Sequence, residues 1–536
     1  MTQQPILRRE SHFGRMMRCF TDRPLGIDAM LREAAARRPH AMAVIWEDAR
    51  LSYCELNAQV GLLASNLAAQ GLGPGDRVGL LVGNRPEFLL VVLAAARLGA
   101  IVVPMNIRQR RPEIAYMLTH SGASILIFEE SCAAEAPDRA DAPMLRARFV
   151  VGRTQVMAEE PFETLLTPSG HTPTHMPINE EAPFCILYTS GTTGKPKGAV
   201  LTHLGAVHSV LHYQYALKLR EADIAALAAP ASHVTGLVAI LLPMLRVAGT
   251  TIMLSTFKAD AFLDVMARER VNYTLLVPAM YNLCLRTPGF ATRDLAAWRV
   301  GGYGGAPMPV AVIERLAEAL PGLALSNIYG ATETTSPTSV LAPSEAIARA
   351  DTVGRPLPCA DVLVVDDRGC EVAPGERGEL LIGGPMTVPG YWDDVAANAS
   401  SFVAGYWKSG DVGSIDADGY LRIHDRMKDV VNRGGYKVYS VEVENVIAQC
   451  PGVIECAVLG YPDSVLGERV AAFIRMDEAA EPSQQAIRQF CAIGLSDYKV
   501  PEAIVFLSEP LPRNANGKVL KANLRQRLID GGAAVR

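Results

Sequence analysis

Buried strands alternate with helices between residues 77 and 128, and this pattern limits the chain to few fold classes. The run RVGLLV predicts a buried strand, and Pro86 opens a helix that stops at Gly99. IVVP predicts a second strand, residues 112–119 a second helix and SILIF a third strand. Strands joined by helices of this length form βαβ units, so we expect a parallel sheet covered on both faces.

The same pattern returns between residues 225 and 330. Its strand candidates, separated by helical stretches, are TTIML, YTLLV, RVGGYG and LALSNIYG. We therefore expect two doubly wound α/β subdomains. A chain of 536 residues is also too long for one compact domain, so further units should follow.

The pattern changes in the last third of the chain. From about residue 350 to 424, short strands such as VLVVD and GELLIGG alternate with turn residues, which predicts a small β-barrel-like subdomain. The residues after 425 predict a compact α+β domain. The predicted organisation is an N-terminal domain over 1–424 (α/β subdomains about 25–345, β-rich subdomain about 346–424), a hinge at 425–429 and a small mobile C-terminal domain over 430–536.

Composition and patterning argue against several classes of protein. The net charge of −5 argues against a nucleic-acid binder. The ten cysteines form no C-x-x-C pair, which indicates neither a zinc site nor a redox motif and fits a reducing, cytoplasmic compartment. No apolar signal-peptide core is visible near the N-terminus. The longest uncharged stretch, residues 225–245, is interrupted by Pro230, His233 and Pro243 and predicts a buried strand–loop–helix rather than an integral membrane segment.

A loop rich in glycine, threonine and lysine, YTSGTTGKPKGAV, occupies residues 188–200. Small residues expose backbone N–H groups and the lysines add positive charge, so the loop predicts a phosphate site. The P-loop of kinases needs four residues between its two glycines and a lysine directly after the second. Gly194 follows Gly191 after only two residues, so this pair does not fit the spacing. Here Gly198 is followed by Ala199, so the loop is not a P-loop.

Four further polar motifs, several of them directly after predicted strands, are candidates for ligand contact. They are GGYGGAP (301–307), NIYGATET (327–334), GYWKSGDVG (405–413) and PRNANGKVLK (512–521). Taken singly, each also fits a structural role, such as a glycine turn, a turn-capping aspartate or a solvated lysine. His233 alone would fit a satisfied core histidine.

The order of the motifs is more specific than any one of them. SGTTGKPKG, a histidine in an apolar stretch, GGAP, YGATE, KSGD, DRMKD and NGK together resemble the adenylate-forming (ANL) superfamily, which includes acyl-CoA synthetases, coumarate-CoA ligases, beetle luciferases and adenylation domains. The resemblance covers about residues 25 to 525. It implies an enzyme that joins a carboxylic acid to AMP with ATP and Mg²⁺, releases pyrophosphate and passes the acyl group to coenzyme A.

The resemblance also implies a nucleotide site. The residues that would wrap the β- and γ-phosphates are Thr189, Ser190, Gly191, Thr192, Thr193 and Lys197. Glu333 would hold Mg²⁺, which prefers oxygen ligands, and Thr332 would contact the α-phosphate. Gly305, Ala306 and Pro307 would form one wall of the adenine site and Tyr329 the other, and Asp411 and Arg426 would contact the ribose. Asn327 and Gly330 are further nucleotide-binding candidates.

Lys518 is the main catalytic candidate that the resemblance implies. Its ammonium would bridge the substrate carboxylate and the α-phosphate during adenylation. For the second step, the C-terminal domain would pivot about Lys428 and bring the RGGYK loop to the site. Gly434 and Gly435 would let the pantetheine chain of coenzyme A approach the backbone closely.

The resemblance identifies the type of reaction but says less about which carboxylic acid is the substrate. His233 stands where acyl-CoA ligases carry a histidine and where amino-acid-activating domains usually carry an aspartate. The predicted pocket walls are mainly apolar, which favours an aromatic or short- to medium-chain monocarboxylate. These walls are residues 232–237, Met280, Tyr281, Tyr303 and Ile328.

Several alternatives stay open at this point. Arg246 is predicted to be a helix-end residue; if it faced the pocket instead, a malonate-type dicarboxylate would become a credible substrate. The acceptor thiol could belong to a carrier protein. A luciferase-like oxygenase and a non-catalytic nucleotide-binding module are the other classes. The chain could also form a homodimer.

Overall fold

The computed structural model describes residues 5–152, 159–168, 178–189, 195–306, 308–477, 483–514 and 517–530. The chain divides into two compact units. The larger unit comprises Met1–Val362 and Ile382–Lys408, and the smaller unit comprises Leu363–Leu381 and Ser409–Arg536. The predicted hinge at 425–429 therefore falls inside the smaller unit, and its role as a hinge stays a prediction.

The described residues contain strands in both units. In chain order they are β1 (Leu7–His12), β2 (Arg15–Phe20), β3 (Met42–Trp46), β4 (Ala49–Ser52), β5 (Arg77–Leu81), β6 (Ile101–Pro104), β7 (Ile125–Glu129), β8 (Ala147–Val151), β9 (Glu160–Pro161), β10 (Pro183–Thr189), β11 (Lys197–Thr202), β12 (Ile224–Leu227), β13 (Thr250–Met253), β14 (Tyr273–Leu276), β15 (Val300–Gly304), β16 (Ala324–Ala331), β17 (Ser336–Val340), β18 (Arg355–Pro356), β19 (Asp361–Val365), β20 (Gly378–Gly383), β21 (Phe402–Val403), β22 (Tyr406–Ile415), β23 (Leu421–Arg426), β24 (Val431–Arg433), β25 (Tyr436–Val438), β26 (Val453–Asp463), β27 (Gly467–Met476) and β28 (Ala503–Leu507).

The α-helices of the described residues follow the same numbering by chain order. They are α1 (Ile27–Arg37), α2 (Tyr53–Ala69), α3 (Pro86–Leu98), α4 (Arg111–Ser121), α5 (His203–Ala216), α6 (Leu242–Arg246), α7 (Ala259–Arg268), α8 (Pro278–Arg286), α9 (Val310–Ala319), α10 (Val395–Ser401), α11 (Ser440–Ile447), α12 (Gln484–Gly494) and α13 (Lys521–Asp530).

The larger unit contains a seven-stranded sheet in the order β11–β10–β6–β5–β7–β8–β9. Its strands β5 to β8 are parallel, as the sequence pattern predicts. The helix between β5 and β6 begins at Pro86, whose missing N–H is not needed in a first turn, and ends before Gly99, which has a φ of 68°. The antiparallel pair β10–β11 carries both ends of the glycine- and threonine-rich loop.

A second sheet of the larger unit has nine strands in the order β18–β17–β16–β15–β14–β12–β13–β3–β4. The two predicted doubly wound subdomains are therefore confirmed. Residues 225–245 form β12, a loop, a π-helix at Thr235–Leu241 and α6, so the predicted strand–loop–helix is also confirmed. Among the described helices, none is long and apolar enough to cross a membrane.

The smaller unit contains a mixed sheet in the order β25–β24–β27–β26, with β28 beside β27. Helices α11 and α12 pack on it through residues such as Val443, Ile447 and Ile487. Helix α13 adds Leu524 and Leu528 to another apolar cluster of this unit. Strands β19 to β23 form a separate five-stranded sheet, and the predicted fold class is confirmed.

Three histidines on α5, His203, His208 and His212, are buried in the larger unit. Each ring accepts a hydrogen bond from a backbone N–H group, at 3.2 to 3.3 Å. Burial lowers the pKa of His203 and His208 to about 4 and that of His212 to about 3. A doubly protonated ring could not accept these hydrogen bonds, so the fold requires the neutral form.

We expect the free energy of unfolding to fall as the pH is lowered from about 6.5 towards 4. The unfolded chain protonates these histidines near pH 6.5, whereas the folded chain does not, so acid favours unfolding across that window. By pH 5 each of the three histidines costs up to about 2 kcal/mol. Urea unfolding at pH 7.5 and pH 5 measures the effect. His208→Asn should flatten the pH dependence, the exposed His40→Asn should not, and equal stability at both pH values would contradict the assignment.

Candidate active site

The glycine- and threonine-rich loop is anchored on two paired strands of the larger unit. Thr189 ends β10 and lies opposite Lys197, which begins β11. The ammonium of Lys197 lies 5.1 Å from the centre of the Tyr391 ring, an attractive cation–π distance. The predicted phosphate-binding residues Ser190, Gly191, Thr192 and Thr193 lie outside the described residues, so their contacts stay predictions.

Glu333 lies buried in the turn after β16 and is 8% exposed. Its Oε1 accepts hydrogen bonds from the Tyr391 hydroxyl at 2.9 Å and from the Thr189 hydroxyl at 3.4 Å. Burial and the charge of Glu333 raise the pKa of Tyr391, so the phenol keeps its proton and remains a donor. A carboxylate with hydroxyl groups beside it supplies the oxygen ligands that Mg²⁺ prefers, so this donor set fits the ion.

The turn that carries Thr332 and Glu333 has an unusual backbone. It is a 3-10 turn followed by Thr335 and Ser336, whose φ values are 49° and 93°. Residues other than glycine hold such angles only where the surrounding structure enforces them, and such positions cluster at functional sites. The turn therefore presents Thr332 and Glu333 on a rigid support.

The two predicted walls of the adenine site come from neighbouring strands. β15 and β16 are parallel, and their register pairs Gly304 with Ile328. Gly305 directly follows β15 and Tyr329 is the next residue of β16, so both lie at the same edge of the sheet. Gly305 and Ala306 are exposed and Tyr329 is half-buried, as a site open to a ligand requires.

Two other residues predicted for this site have packing roles in the structure. The side-chain amide of Asn327 is buried and donates to the carbonyl of Thr352 at 3.2 Å. A Cβ at Gly330 would lie 1.5 Å from the carbonyl oxygen of Ser336, so no larger residue fits. Pro307 lies outside the described residues.

Asp411 and Arg426 face each other across β22 and β23 in the smaller unit. The Asp411 residue is 3% exposed, and the Arg426 Nε lies 2.7 Å from its Oδ1. The backbone N–H of Asp411 also donates to the Ser409 hydroxyl at 3.0 Å. Opposite charges on a cross-strand pair hold each other in place. A carboxylate held in this way can accept hydrogen bonds from ribose hydroxyls.

Lys518 follows a tight turn in the same unit. Two hydrogen bonds close the turn, from the Lys518 N–H to the Asn514 Oδ1 and from the Asn514 N–H to the Lys518 carbonyl, both at 2.9 Å. Gly517 has a φ of 84°, which other residues rarely adopt. The turn therefore fixes the backbone from which the lysine side chain extends.

The charges around Lys518 come from other residues predicted for the site. The side chain is exposed, yet neighbouring atoms displace part of its hydration, and this lowers the pKa of its ammonium. The positive charges of Arg426 and Lys428 act in the same direction, and Asp429 and Asp411 act against them. Lys518, Asp411 and Arg426 are thus close enough for their charges to interact.

Gly434 and Gly435 form the two-residue turn of the β24–β25 hairpin. Their φ values are 57° and 89°, which is the backbone that a tight hairpin turn needs. The Gly434 N–H donates to the carbonyl of Leu466 at 2.7 Å. Hairpin geometry alone explains both glycines, and their contact with coenzyme A stays a prediction.

His233 follows β12 in the larger unit and is half-buried. Its Nδ1 accepts a hydrogen bond from the backbone N–H of Thr235 at 3.2 Å. A backbone N–H can only donate, so the neutral ring carries its proton on Nε2. Burial lowers the pKa of His233 to about 4, which keeps the ring neutral at pH 7. His233 therefore presents an Nε2–H donor.

One prediction about the acid pocket needs correction. Tyr281 does not line an open pocket, because it is fully buried, stacks on Trp298 and donates its hydroxyl to the carbonyl of Gly302 at 2.9 Å. Arg246 ends α6, as the sequence favours, and its guanidinium pairs with Glu33 on α1 at 3.0 Å. The residue that would have favoured a dicarboxylate is thus engaged elsewhere.

The sequence reasoning missed Tyr391, which holds a candidate catalytic group, and Lys521, which ties the start of α13 to other residues of the smaller unit. Tyr391 holds Glu333, although none of the predicted site motifs includes this tyrosine. The Lys521 ammonium contacts Glu444 at 2.7 Å and the Ser440 hydroxyl at 2.8 Å. Lys521 stands three residues after Lys518 and offered no signal of its own, because surface lysines are common.

Comparisons with known proteins identify the class of this chain. A family model described as AMP-binding enzyme matches residues 31–392, and one described as AMP-binding enzyme C-terminal domain matches residues 442–518. The chain therefore belongs to the AMP-binding enzyme family, and the predicted resemblance to the adenylate-forming enzymes is confirmed.

Individual relatives narrow the class from AMP-binding enzymes to CoA ligases. Feruloyl-CoA synthase of Amycolatopsis sp is 35% identical over 494 residues, covering 92% of this chain and 97% of that protein. A long-chain-fatty-acid–CoA ligase of Mycobacterium tuberculosis is 35% identical over 502 residues, covering 93% and 97%. The crystal structure of an anthranilate CoA ligase in complex with anthranoyl-AMP is 26% identical, covers 95% of this chain and 98% of that one, and has a TM-score of 0.88. The chain is an ATP-dependent acid–thiol ligase of the acyl-CoA synthetase class, with ATP and coenzyme A as substrates.

Proposed function

We propose that the chain activates an aromatic or short- to medium-chain monocarboxylate with MgATP, forming acyl-AMP and pyrophosphate, and then transfers the acyl group to coenzyme A. The observation that carries this proposal is the pair of Asp411 and Arg426, whose Oδ1 and Nε lie 2.7 Å apart in the same unit as Lys518, where both charges act on the lysine ammonium. The α-phosphate is attached to the ribose. A lysine beside the proposed ribose ligands is therefore suited to chemistry at that phosphate.

In the first step, a carboxylate oxygen attacks the α-phosphorus and pyrophosphate leaves. Both reactants are anionic, and the ammonium of Lys518 offsets the charge that builds up as they meet. Thr189 and Lys197, with the loop between them, hold the β- and γ-phosphates as a leaving group. Glu333 would hold Mg²⁺, which would neutralise phosphate charge when bound.

In the second step, the thiol of coenzyme A attacks the acyl carbonyl and AMP leaves. We assign the rotation that separates the two steps to the segment around Lys428, which lies in the short turn Met427–Asp429. The hairpin turn at Gly434 and Gly435 would then lie along the pantetheine chain, where the lack of side chains allows close approach.

The acid class rests on the relatives and on two residues. Feruloyl-CoA synthase and the fatty-acid ligase are named for monocarboxylates. His233 offers a neutral donor, which suits one carboxylate and not an amino acid's ammonium group. Because Arg246 is paired with Glu33, this chain offers no support from that residue for a second carboxylate.

A pyrophosphate-release assay over a panel of carboxylic acids, with and without coenzyme A, tests the proposed function. We expect pyrophosphate and acyl-CoA with an aromatic or short- to medium-chain acid, identified by mass spectrometry. Transfer only to a carrier-protein thiol would favour the loading enzyme, and a preference for malonate would overturn the monocarboxylate assignment. ADP in place of pyrophosphate would contradict the adenylation chemistry itself.

Two finer points are also proposals. We place the protein in the cytoplasm, because all ten cysteines carry free thiols, as a reducing compartment requires. Cell fractionation tests this placement. A homodimer is the proposed assembly, and light scattering on the purified chain tests it.

Tyr391→Phe is expected to weaken the use of Mg²⁺. The change removes one hydroxyl that donates to Glu333, and a hydrogen bond to a charged group contributes about 1.5–3 kcal/mol, or roughly ten- to a hundredfold. We expect the rate of pyrophosphate release to fall by that factor at limiting Mg²⁺, with KM for the acid unchanged. Tyr53→Phe is the matched control, because this buried hydroxyl bonds only backbone carbonyls away from the site. Identical Mg²⁺ titrations for wild type and Tyr391→Phe would contradict the role.

A further inference from the structure

A single buried amide links the two large sheets beside His233. Asn84 follows β5 of the seven-stranded sheet and is 7% exposed. Its Nδ2 donates to the carbonyls of Ala229 and Leu254 at 3.0 Å and lies 3.4 Å from that of Leu227. Its Oδ1 accepts from the N–H of Ala231 at 2.7 Å. All four partners belong to the nine-stranded sheet or to the loops that follow its strands.

Ala231 lies inside the turn that presents His233. The His233 N–H donates to the carbonyl of Pro230 at 3.0 Å and closes this turn. The following π-helix packs so closely that a Cβ at Gly236 would lie 2.2 Å from the Pro230 carbonyl oxygen. The turn is therefore enclosed by the helix on one side and tied by Asn84 on the other.

The direction of the imidazole follows from this turn. The ring is held through its Nδ1, which accepts from the N–H of Thr235 and lies 3.1 Å from the Thr235 hydroxyl. Any shift of the backbone between residues 230 and 235 would change the direction of the Nε2–H. A group that presents one proton to a substrate needs this kind of support to stay within a few tenths of an ångström of its productive position.

We propose that Asn84 is a positioning residue that fixes the 230–233 turn and thereby aims the Nε2–H of His233 at the acid substrate. The inference rests on the proposed function for the contact between His233 and the substrate, but the hydrogen bonds of Asn84 do not. Without the amide, the Ala231 N–H and three carbonyls lose a buried partner, and the turn relaxes.

Asn66 provides a matched control. It is also a buried asparagine of the larger unit, 8% exposed, and its Nδ2 donates to the carbonyls of Leu165 and Thr167 at 2.8 Å. Asn66→Ala therefore removes similar hydrogen bonds on α2, without touching the His233 turn. If Asn84 had a purely structural role, Asn84→Ala and Asn66→Ala would behave alike when each is compared at the same interval below its own melting temperature.

The first test does not depend on catalysis. Histidine-selective ¹⁵N labelling gives the tautomer and the pKa of His233 in the whole chain, with the signal assigned by His233→Gln. In Asn84→Ala we expect a mixture of tautomers and a pKa shifted towards 6.5, while Asn66→Ala keeps the wild-type signal. Asn84→Asp, whose neutral carboxyl can still accept from the Ala231 N–H, should restore the Nε2–H tautomer. An unchanged His233 signal in Asn84→Ala, or in Asn84→Asp if the alanine variant does not fold, would overturn the proposal.

The second test uses the adenylation rate with the best acid of the panel. We expect Asn84→Ala to lower kcat/KM about tenfold, mainly through kcat, and to have no further effect in a His233→Ala background. An equal loss in both backgrounds would show that Asn84 acts independently of His233. If Asn84→Ala disturbs the His233 signal but neither Asn84 nor His233 affects the rate, the role of His233 in the proposed function fails while the structural link stands.

Discussion

Lys518→Ala is expected to lower the rate of acyl-AMP formation by about a thousandfold, which is the upper range for loss of one preorganised charge contact. The lysine extends from a turn closed by Asn514 and lies among the charges of Asp411 and Arg426. Alanine keeps the turn and removes only the ammonium. ATP affinity should therefore change little, because the phosphate loop and the ribose ligands remain.

Three measurements define this result. Single-turnover pyrophosphate release gives the adenylation rate, calorimetry with ATP gives the affinity, and premade acyl-AMP with coenzyme A isolates the second step. We expect only the adenylation rate to fall sharply, with the ATP affinity and the second step largely unchanged. Lys499→Ala is the control, because this lysine of the same unit is paired with Glu442 at 2.6 Å and lies outside the proposed site. Adenylation by Lys518→Ala near the wild-type rate would remove Lys518 from the mechanism.

Lys428→Pro is expected to slow thioester formation by about tenfold or more, equivalent to at least 1.4 kcal/mol in the barrier, while adenylation is largely kept. Lys428 occupies the 3-10 turn Met427–Asp429, where φ values of about −50° to −70° are usual. Proline holds φ near −65°. The substitution should therefore preserve the observed turn and prevent the change of backbone angle that the second step needs.

The matched control for this prediction is Lys428→Ala, which removes the same charge but leaves the backbone free to rotate. Rapid-quench measurement of acyl-AMP and acyl-CoA in one experiment separates the two steps. An equal slowing of both steps by proline, or an equal effect of alanine and proline on the second step, would count against a pivot at Lys428.

The element pattern was predictable because it depends on local regularities. The strand in the run RVGLLV and the helix from Pro86 were located correctly, since hydrophobic period and helix-end residues act over a few positions. The π-helix at Thr235–Leu241 was not predicted, because its apolar sequence also fits an α-helix. Its close approach to Pro230 depends on Gly236.

The candidate site was also predictable only in part. Glu333, Asp411 and Lys518 could be singled out because each belongs to a motif, and the order of the motifs identified the family. The structural roles of Gly434 and Gly330 could not be predicted from the motifs. One shapes a hairpin turn and the other makes room for the Ser336 carbonyl, and both reasons depend on backbone angles and neighbours.

The reaction class of this chain was thus determined by its motifs, because the chemistry of adenylation requires certain residue types in a recognisable order. The supporting contacts were decided by the fold. Tyr391 reaches Glu333 across 58 positions of the chain and Asn84 reaches Ala231 across 147. Arg246 reaches Glu33 across 213 positions. Such pairings have no local signature, because they arise only when separate sheets and helices pack together.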